Sequence, residues 1–294
     1  MSHLVLSNKD LSIKINPLGA ELQSFYSNKL DLELLWQADP DYWPRHAPIL
    51  FPIVGKLTNN QLIESNKVYP LTQHGFARDM EFEPIFQSAE FVQLRLQSSK
   101  ATLEKYPYPF ELLVEYLLKD NILRTTFVVR NNSETPLPFS VGGHPAFNWP
   151  LIPGVDKESH YILFDENEDI PLLQLNEGLV SPKSLPSPII NKKITLKDDL
   201  FKNDALIFNG LNSNKITYVA GEQCKLEMLF DDFPQLGIWT KYGADFICLE
   251  PWLGYASPQG YEGEFRDKPG IKILPGYAEV ALSFDILLTF KIKD

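Results

Sequence analysis

The sequence has little positive charge. Of its 294 residues, 27 are Lys or Arg and 38 are Asp or Glu, which gives a formal net charge of -11 at pH 7. Nucleic acids and anionic membranes are bound through a basic footprint spread over a surface. The composition therefore predicts no nucleic-acid partner and no membrane partner, and it leaves room only for a local basic pocket.

Cysteine is also scarce, since only Cys224 and Cys248 are present. Two cysteines cannot build a disulfide framework, and no CxxC or Cys/His spacing indicates a structural zinc. The first residues lack a basic stretch followed by an apolar run, and no run of about 18 apolar residues occurs. We therefore expect reduced thiols and a cytoplasmic location.

Motifs for common cofactors and nucleophiles are missing as well. The chain has no GxSxG elbow, no Walker A loop and no GxGxxG turn between a strand and a helix. A metal held by His46, His74 and His144 is conceivable, but neither HxH nor HExxH spacing supports it. The sequence therefore predicts chemistry without a cofactor or a metal.

Alternating apolar and polar residues dominate what is present. In the longest case, every second residue from Val280 to Ile292 is apolar. This period of two is typical of a strand with one buried face. Turn residues at 119–121 and 220–223 predict hairpins, and only 98–105 suggests a short helix.

Strands at short spacing, without intervening helices, predict an all-β fold in which antiparallel sheets stack as a β-sandwich. No linker, composition break or repeat of about 20 to 50 residues divides the chain, so we expect 1–294 to form a single domain. The stretch 150–191 is rich in Pro, Asn, Glu and Ser. It is expected to be mostly loop around one strand at 161–164.

Four segments carry residues that folding alone does not require, and the first is 42–56. Three prolines interrupt its apolar run, and proline is confined to sheet edges and loops because it cannot donate to a ladder. Arg45, His46 and Lys56 are embedded in this apolar sequence. Because charges are seldom buried without a partner, a binding role is favoured for these three side chains.

The second and third segments each contain a histidine beside glycine. His74 precedes Gly75, and Arg78 follows with a fork of donors suited to hydroxyl, carboxylate or phosphate oxygens. His144 lies between Gly-Gly and Pro145, which favours an extended backbone and an accessible ring. The alternative at His74 is a capped or solvated histidine in a turn, and the alternative at His144 is that Gly-Gly before His-Pro is simply a turn leaving a strand.

The fourth segment ends an apolar strand with a carboxylate, Glu250, in Cys-Leu-Glu-Pro-Trp at 248–252. An ionised Glu is costly to bury alone, so Glu250 either has a cationic or hydrogen-bonding partner or has a raised pKa. A carboxylate in this setting is suited to general-base chemistry. A structural ion pair is the alternative.

Together these segments resemble the aldose 1-epimerase (galactose mutarotase-like) family, and the run 36–55 resembles its LacX-like branch. The likeness covers nearly the whole chain, and its most specific parts are His-Gly-Phe-Ala-Arg at 74–78 and Gly-Gly-His-Pro-Ala-Phe at 142–147. The resemblance implies a large antiparallel β-sandwich, a supersandwich that binds a sugar across one concave face. It also implies an isomerase that needs no cofactor.

The resemblance implies a role for each matching residue. Glu250 would be the base that removes the proton of the anomeric hydroxyl, and His144 would be the acid that protonates the ring oxygen. The two would exchange roles when the ring closes, and His74 would orient the sugar. Asp204 would bind sugar hydroxyls, and Lys56 stands where mutarotases commonly have Arg.

The protonation of this pair and the aromatic residues around it give further expectations. A carboxylate close to His144 is expected to favour its imidazolium form, and an acid and base acting together predict a bell-shaped pH profile. Four aromatic residues are candidate stacking platforms for the apolar face of a sugar, with a core role as the alternative: Trp252, Trp239, Phe76 and Phe147.

Three functions follow from the resemblance, and each has a monosaccharide as its partner. The leading one is a mutarotase for a free hexose such as glucose or galactose. The second is a hexose-6-phosphate 1-epimerase, in which Arg45, Lys56 and Arg78 form the local basic pocket. The third is a non-catalytic carbohydrate-binding or regulatory β-sandwich. The sequence is compatible with a monomer or a homodimer.

Overall fold

The structure is a computed structural model and describes residues 3–221 and 224–290. Nearly all of its regular structure is strand. In chain order the strands are β1 (Leu4–Ser7), β2 (Leu11–Asn16), β3 (Glu21–Ser27), β4 (Leu32–Glu33), β5 (Ile49–Leu50), β6 (Gln61–Glu64), β7 (Lys67–Pro70), β8 (Glu83–Gln87), β9 (Phe91–Gln97), β10 (Phe110–Lys119), β11 (Ile122–Asn131), β12 (Leu137–Phe139), β13 (Val141–Gly143), β14 (Ala146–Asn148), β15 (His160–Phe164), β16 (Leu172–Asn176), β17 (Leu179–Leu185), β18 (Lys193–Thr195), β19 (Leu206–Asn209), β20 (Lys215–Ala220), β21 (Cys224–Leu229), β22 (Gln235–Trp239), β23 (Phe246–Leu253), β24 (Lys272–Leu274) and β25 (Glu279–Phe290).

The helical pieces are short. The helix suggested at 98–105 is a single turn, α1 (Lys100–Leu103), in which Ser99 and Thr102 form a capping box. The 3₁₀ turns are Thr58–Asn60, Ala77–Asp79, Lys157–Ser159, Asp198–Phe201 and Phe265–Asp267. None of the helices in the described part of the chain is long and apolar enough to cross a membrane.

Two large sheets form the body of the protein. One has nine strands in the order β18-β15-β20-β21-β25-β11-β10-β9-β8, and the other has β17-β16-β19-β22-β23-β13-β5 with β14 also paired to β23. Neighbouring strands pair antiparallel. Buried side chains of both sheets belong to one hydrophobic cluster, so the sheets are stacked. This confirms the all-β sandwich that the sequence predicts.

Strand β25 lies inside the nine-stranded sheet, between β11 and β21. Its alternation is the predicted one. Phe284, Ile286 and Leu288 are buried, whereas Ser283 and Asp285, at alternating positions, are partly exposed. A central strand must supply apolar side chains at every second position, and this sequence does so over most of its length. The continuation of the pattern to 292 lies outside the described residues.

The strands on both sides of the two predicted hairpins pair as expected. β10 and β11 are joined at Asp120, whose φ of 52° suits a tight turn. β20 and β21 pair from Lys215 with Leu229 to Ala220 with Cys224. Residues 222 and 223 of the second turn lie outside the described residues.

The stretch 150–191 contains more strand than the sequence suggests. β15 corresponds to the expected strand at 161–164, but β16 and β17 form an additional hairpin at the edge of the eight-stranded sheet. Leu172 and Val180 are the buried residues of this hairpin. With so few buried apolar positions, the hairpin gives only a weak period-two signal.

The alternation along β23 determines where the functional side chains lie. Ile247 and Leu249 belong to the main core between the sheets. Cys248, Glu250 and Trp252 occupy the intervening positions, and because successive side chains point to opposite faces they lie on the outer face of the eight-stranded sheet. This face carries two small hydrophobic clusters of its own, so β23 is buried on both sides.

A stability prediction follows from the main core. Phe127 is fully buried and packs against Phe233 and Phe284, at ring-centroid distances of 6.2 and 6.1 Å. Replacing it in Phe127→Ala should lower the free energy of unfolding by about 3 to 5 kcal/mol, because it leaves a cavity between the sheets. Urea unfolding measures this change.

Phe86→Ala is the matched control, since Phe86 is 56% exposed on β8. Its effect should stay within about 0.5 kcal/mol. Equal losses in the two variants would contradict the packing described for the core.

Candidate active site

A cavity of about 360 Å³ opens on the outer face of the eight-stranded sheet. Its size is in the range of small-molecule sites. The lining residues are Trp43, Gly55, Gln73, His74, Arg78, His144, Leu175, Gly178, Asp204, Ala205, Ile207, Trp239, Glu250, Trp252 and Ala256. A second cavity of about 280 Å³, near Tyr261 and Lys268, contains none of the predicted site residues.

His144 and Glu250 are in contact at the base of the first cavity. Nε2 of His144 lies 3.0 Å from Oε2 of Glu250, and the residues are only 8% and 1% exposed. The contact is not aligned as a hydrogen bond, so Oε2 has no hydrogen-bond partner. A buried carboxylate oxygen without a partner is unusual and is available to a ligand.

Burial raises the pKa of Glu250 well above the usual carboxyl value. The negative charge of Asp204 acts in the same direction, and the Trp252 indole opposes the shift. Trp252 Nε1 is itself buried without an aligned acceptor, so its N–H is available to donate to a ligand or to Glu250. The sequence left two possibilities for Glu250, a cationic or hydrogen-bonding partner or a raised pKa. The raised pKa is the one that applies.

Burial also lowers the pKa of His144 to about 3, and the charges of Arg78 and Arg45 contribute to the shift. The ring is therefore neutral at pH 7. This corrects the expectation that the nearby carboxylate favours imidazolium, because burial, the largest cause of the shift, disfavours the cation. The two groups lie 3.0 Å apart and are expected to titrate as a pair that holds one proton.

Aromatic rings hold His144 in place. Trp43 stacks on it with ring centroids 4.9 Å apart and an interplanar angle of 27°, and Trp239 meets it edge-on at 5.9 Å. The glycines before His144 do not open space around its ring. A Cβ on Gly142 would lie 2.6 Å from Trp252 Cδ1, and one on Gly143 would lie 3.0 Å from Phe284. His144 lines the cavity but is packed, which differs from the freely presented ring that the sequence suggested.

His74 approaches His144 edge-on, with ring centroids 5.8 Å apart. The backbone N–H of Gly55 donates to Nδ1 at 3.2 Å, and the side-chain amide nitrogen of Gln73 lies 3.2 Å from Nε2. Burial lowers the pKa of His74 well below its usual value, and a positive charge on His144 or Arg78 acts in the same direction. His74 is therefore neutral at neutral pH.

The backbone around His74 is tightly constrained. His74 has a φ of 65°, which is uncommon for a residue with a Cβ. At Gly75 a Cβ would lie 2.2 Å from the Phe51 carbonyl oxygen, so only glycine fits. Gly75 thus allows two backbone segments to approach each other closely. Asp204, also in the lining, has a φ of 81°, and strained positions of this kind cluster at functional sites.

Arg78 and Trp252 add polar and apolar surface to the cavity. One guanidinium nitrogen of Arg78 donates to the Gln73 carbonyl at 2.8 Å, while Nε is buried without a hydrogen-bond partner and lies 3.9 Å from Oδ2 of Asp79. Trp252 lies flat on Gly237, where a Cβ would be 2.6 Å from its ring. The bare backbone of Gly237 thus permits the indole to form part of the cavity wall.

Three residues predicted to bind ligand do not line the cavity. Arg45 pairs with Asp79 at 2.8 Å, and His46 is bound through its backbone N–H to Glu21. Lys56 donates to the carbonyl of Glu177 at 3.1 Å. The charges of Arg45 and Lys56 thus have partners elsewhere in the chain, a possibility that a sequence motif cannot exclude, whereas the His46 contact involves only its backbone.

The aromatic candidates also divide into two groups. Trp239 and Trp252 line the cavity, whereas Phe76 and Phe147 belong to the main core. Sequence reasoning did not single out Trp43, although it follows Tyr42 in the first segment. Nothing in its spacing distinguishes a tryptophan that covers a histidine from one that covers a core.

One group of side chains has the composition of a metal site. Ligand atoms of His144, Cys248 and Glu250 lie within 4.8 Å of one another, and all three residues are buried. Sequence reasoning considered His46, His74 and His144 instead. Cys248 and Glu250 share a face of one strand, and the period of two is the signal that could have connected them.

Comparisons with known proteins identify the family of the chain. A family model described as aldose 1-epimerase matches residues 2–269. Protein LacX of Lactococcus lactis subsp. lactis, in plasmid and chromosomal forms, is 36% identical over 282 residues, which cover 92% of this chain and 94% of the relative.

Solved structures show the same similarity over the full length. A galactose mutarotase related enzyme from Lactobacillus acidophilus is 33% identical with a TM-score of 0.92, covering 99% of this chain and 100% of its own. A galactose mutarotase-like protein from Lactobacillus casei is 30% identical with a TM-score of 0.90, covering 98% and 100%. The resemblance predicted from the motifs is confirmed, and the chain belongs to the aldose 1-epimerase family.

Proposed function

We propose that the protein is an aldose 1-epimerase that interconverts the α and β anomers of a hexose by opening and reclosing the sugar ring. The observation that carries this proposal is the contact of His144 Nε2 with Glu250 Oε2, at 3.0 Å in a cavity of sugar size. One group that gives a proton and one that takes a proton are all that the reaction needs. Each can contribute about 10²- to 10⁴-fold to the rate.

The reaction begins with two proton transfers. Glu250 takes the proton of the anomeric hydroxyl while His144 gives one to the ring oxygen, and the bond between C1 and the ring oxygen breaks. The aldehyde rotates about the bond between C1 and C2. His144 then takes the proton back from the ring hydroxyl, Glu250 returns its proton to the carbonyl oxygen, and closure on the other face inverts C1.

The single proton of the pair makes this scheme electrically balanced. With burial disfavouring both ions, the resting form has neutral His144 and a protonated Glu250. Transfer of the proton across 3.0 Å gives the carboxylate and imidazolium that start the scheme. Because one proton serves both residues, each residue acts as acid in one half of the reaction and as base in the other.

The remaining lining residues suit a bound sugar. His74 supplies a neutral imidazole, and Asp204 supplies a carboxylate that accepts from hydroxyl groups. Trp239 and Trp252 offer apolar surface of the kind that stacks against a sugar ring. These groups orient the sugar so that C1 and the ring oxygen reach the pair.

The charges favour an uncharged hexose over a hexose phosphate. Of the three cations proposed for a phosphate pocket, Arg45 and Lys56 are engaged outside the cavity lining. Of the three, Arg78 lines the cavity, and its Nε, which has no hydrogen-bond partner, is the observation that favours the phosphosugar alternative. Asp204 also lines the cavity and would repel a phosphate.

The first prediction concerns substrate choice. NMR of α-to-β conversion should give kcat/KM values for α-glucose and α-galactose at least about tenfold above that for α-glucose 6-phosphate. The reason is the carboxylate of Asp204, because each like-charge pair at about 4 Å costs about 1 kcal/mol even in water. Equal or better conversion of the phosphosugar would contradict the proposal. A selective loss of that conversion in Arg78→Gln would then identify Arg78 as the phosphate ligand.

The second prediction tests the pair. Glu250→Gln and His144→Ala should each lower kcat/KM for anomer interconversion by about 10²- to 10⁴-fold, and the double variant should be little worse than either. Glu111→Gln is the control, since Glu111 is buried in the nine-stranded sheet beside Arg130. If both variants interconvert anomers at the wild-type rate while still binding sugar, the chain is a binding module.

The third prediction concerns pH. The active form is the His144–Glu250 pair with one proton. At low pH His144 becomes protonated as well, so kcat/KM should fall with an apparent pKa of about 3. It should fall again at high pH as Glu250 loses its proton, well above the usual carboxyl pKa. Rates corrected for the uncatalysed reaction give the profile. An acid limb near about 6.5, the ordinary histidine value, would contradict a neutral His144.

The variant Asp204→Asn tests whether the alkaline limb of this pH profile belongs to Glu250. Removing the negative charge that raises the pKa of Glu250 should move the alkaline limb to lower pH. Asp245→Asn is the control, because Asp245 is exposed and pairs with Lys157. An alkaline limb that stays in place in Asp204→Asn would show that another group titrates there.

A further inference from the structure

We propose that His144, Cys248 and Glu250 form a site for a thiophilic divalent cation such as Zn²⁺, and that an ion bound there inhibits the enzyme. The inhibition rests on the proposed epimerase function, whereas the binding site does not. Neither the family nor the expected chemistry requires this ion, which would act by occupying the groups that transfer the proton.

Strand pairing brings the three ligands together. Cys248 and Glu250 are two positions apart on β23, so both side chains point to the outer face of the sheet. β14 pairs with β23 and places Ala146 opposite Cys248, which brings the preceding His144 above the same positions. Their ligand atoms lie within 4.8 Å of one another.

The chemistry of the donors selects the class of ion. One nitrogen, one sulfur and one oxygen ligand leave a fourth tetrahedral position open toward the cavity, which is the arrangement of zinc sites with an exchangeable ligand. A thiolate favours Zn²⁺ and similar soft ions over Mg²⁺, Ca²⁺ or Mn²⁺, which prefer oxygen ligands. A water or an anion from the cavity would complete the coordination.

A second observation points to a missing ligand at this position. Glu250 is 1% exposed, and its Oε2 faces His144 without an aligned hydrogen-bond partner. Buried polar atoms in folded proteins nearly always have a partner. A proton satisfies the pair during catalysis, and a cation satisfies it in the inhibited form. On binding, the ion displaces that proton and the Cys248 thiol proton, and both are released to solvent.

Occupation by the ion stops the reaction for a simple reason. The lone pairs of His144 and Glu250 that accept protons would then be bonded to metal, and no proton would remain to give to the ring oxygen. Cys248 is needed for the ion but not for the proton transfers. Its removal should therefore separate inhibition from catalysis.

The test uses Co²⁺ as a spectroscopic substitute for Zn²⁺ on the full chain, after treatment with a chelator. Wild type should bind one Co²⁺ with the charge-transfer absorption of a cobalt–thiolate bond, and Zn²⁺ should abolish both that absorption and anomer interconversion. In Cys248→Ala the absorption should be lost, and Zn²⁺ should inhibit at least about 100-fold less tightly. Loss of an outer-sphere partner alone costs about 10- to 100-fold in metal affinity.

Cys224→Ala is the matched control, because Cys224 is the other buried thiol and lies on β21 in the opposite sheet. It should behave as wild type in both measurements. Cys248→Ser, which keeps the side-chain size, repeats the test if the alanine variant unfolds.

Two results would overturn the proposal. Wild type without a cobalt–thiolate absorption has no such site, and equal Zn²⁺ inhibition of wild type and Cys248→Ala places the inhibitory ion elsewhere. A metal-free wild type without epimerase activity would instead refute the proposed function. The absorption measurement would still decide whether the cation site exists.

Discussion

The burial of Glu250 against His144 is the constraint on which the rest of the site depends. Neither ion is stable in this environment, since the carboxyl pKa is raised and the imidazole pKa is lowered. A buried pair that holds a single proton offers an acid and a base at one place, which the proposed interconversion needs in both directions. The surrounding residues preserve this balance: Trp43 covers the imidazole, and His74 stays neutral and adds no charge.

The sandwich supplies the rigid base for this pair. β23 is buried on both faces, so one strand contributes core residues to the inside and the reactive carboxylate to the outside. Rigid sheet positions define side-chain geometry better than loops do. In the cavity lining, the non-glycine residues with positive φ are His74 and Asp204, and both lie in segments outside the strands. The sheet therefore fixes the positions of His144 and Glu250, and the segments around it determine the shape of the cavity.

Much of the fold could be predicted because period-two alternation is a local property. β25 and the hairpin at Asp120 follow directly from it, whereas the β16–β17 hairpin, with few buried positions, does not. At the site, motif residues such as His144 and Glu250 could be identified from sequence. The partners of Arg45 and Lys56 could not, because a salt bridge or a bond to a distant carbonyl depends on the folded arrangement.

The Lys56 side chain connects two distant segments beside the cavity. Its ammonium donates to the Glu177 carbonyl in the turn between β16 and β17. That turn carries Gly178, which forms one wall of the cavity beside Leu175. One hydrogen bond thus joins two segments about 120 residues apart at the edge of the cavity. A substitution that breaks this bond would alter the cavity wall and leave His144 and Glu250 in place.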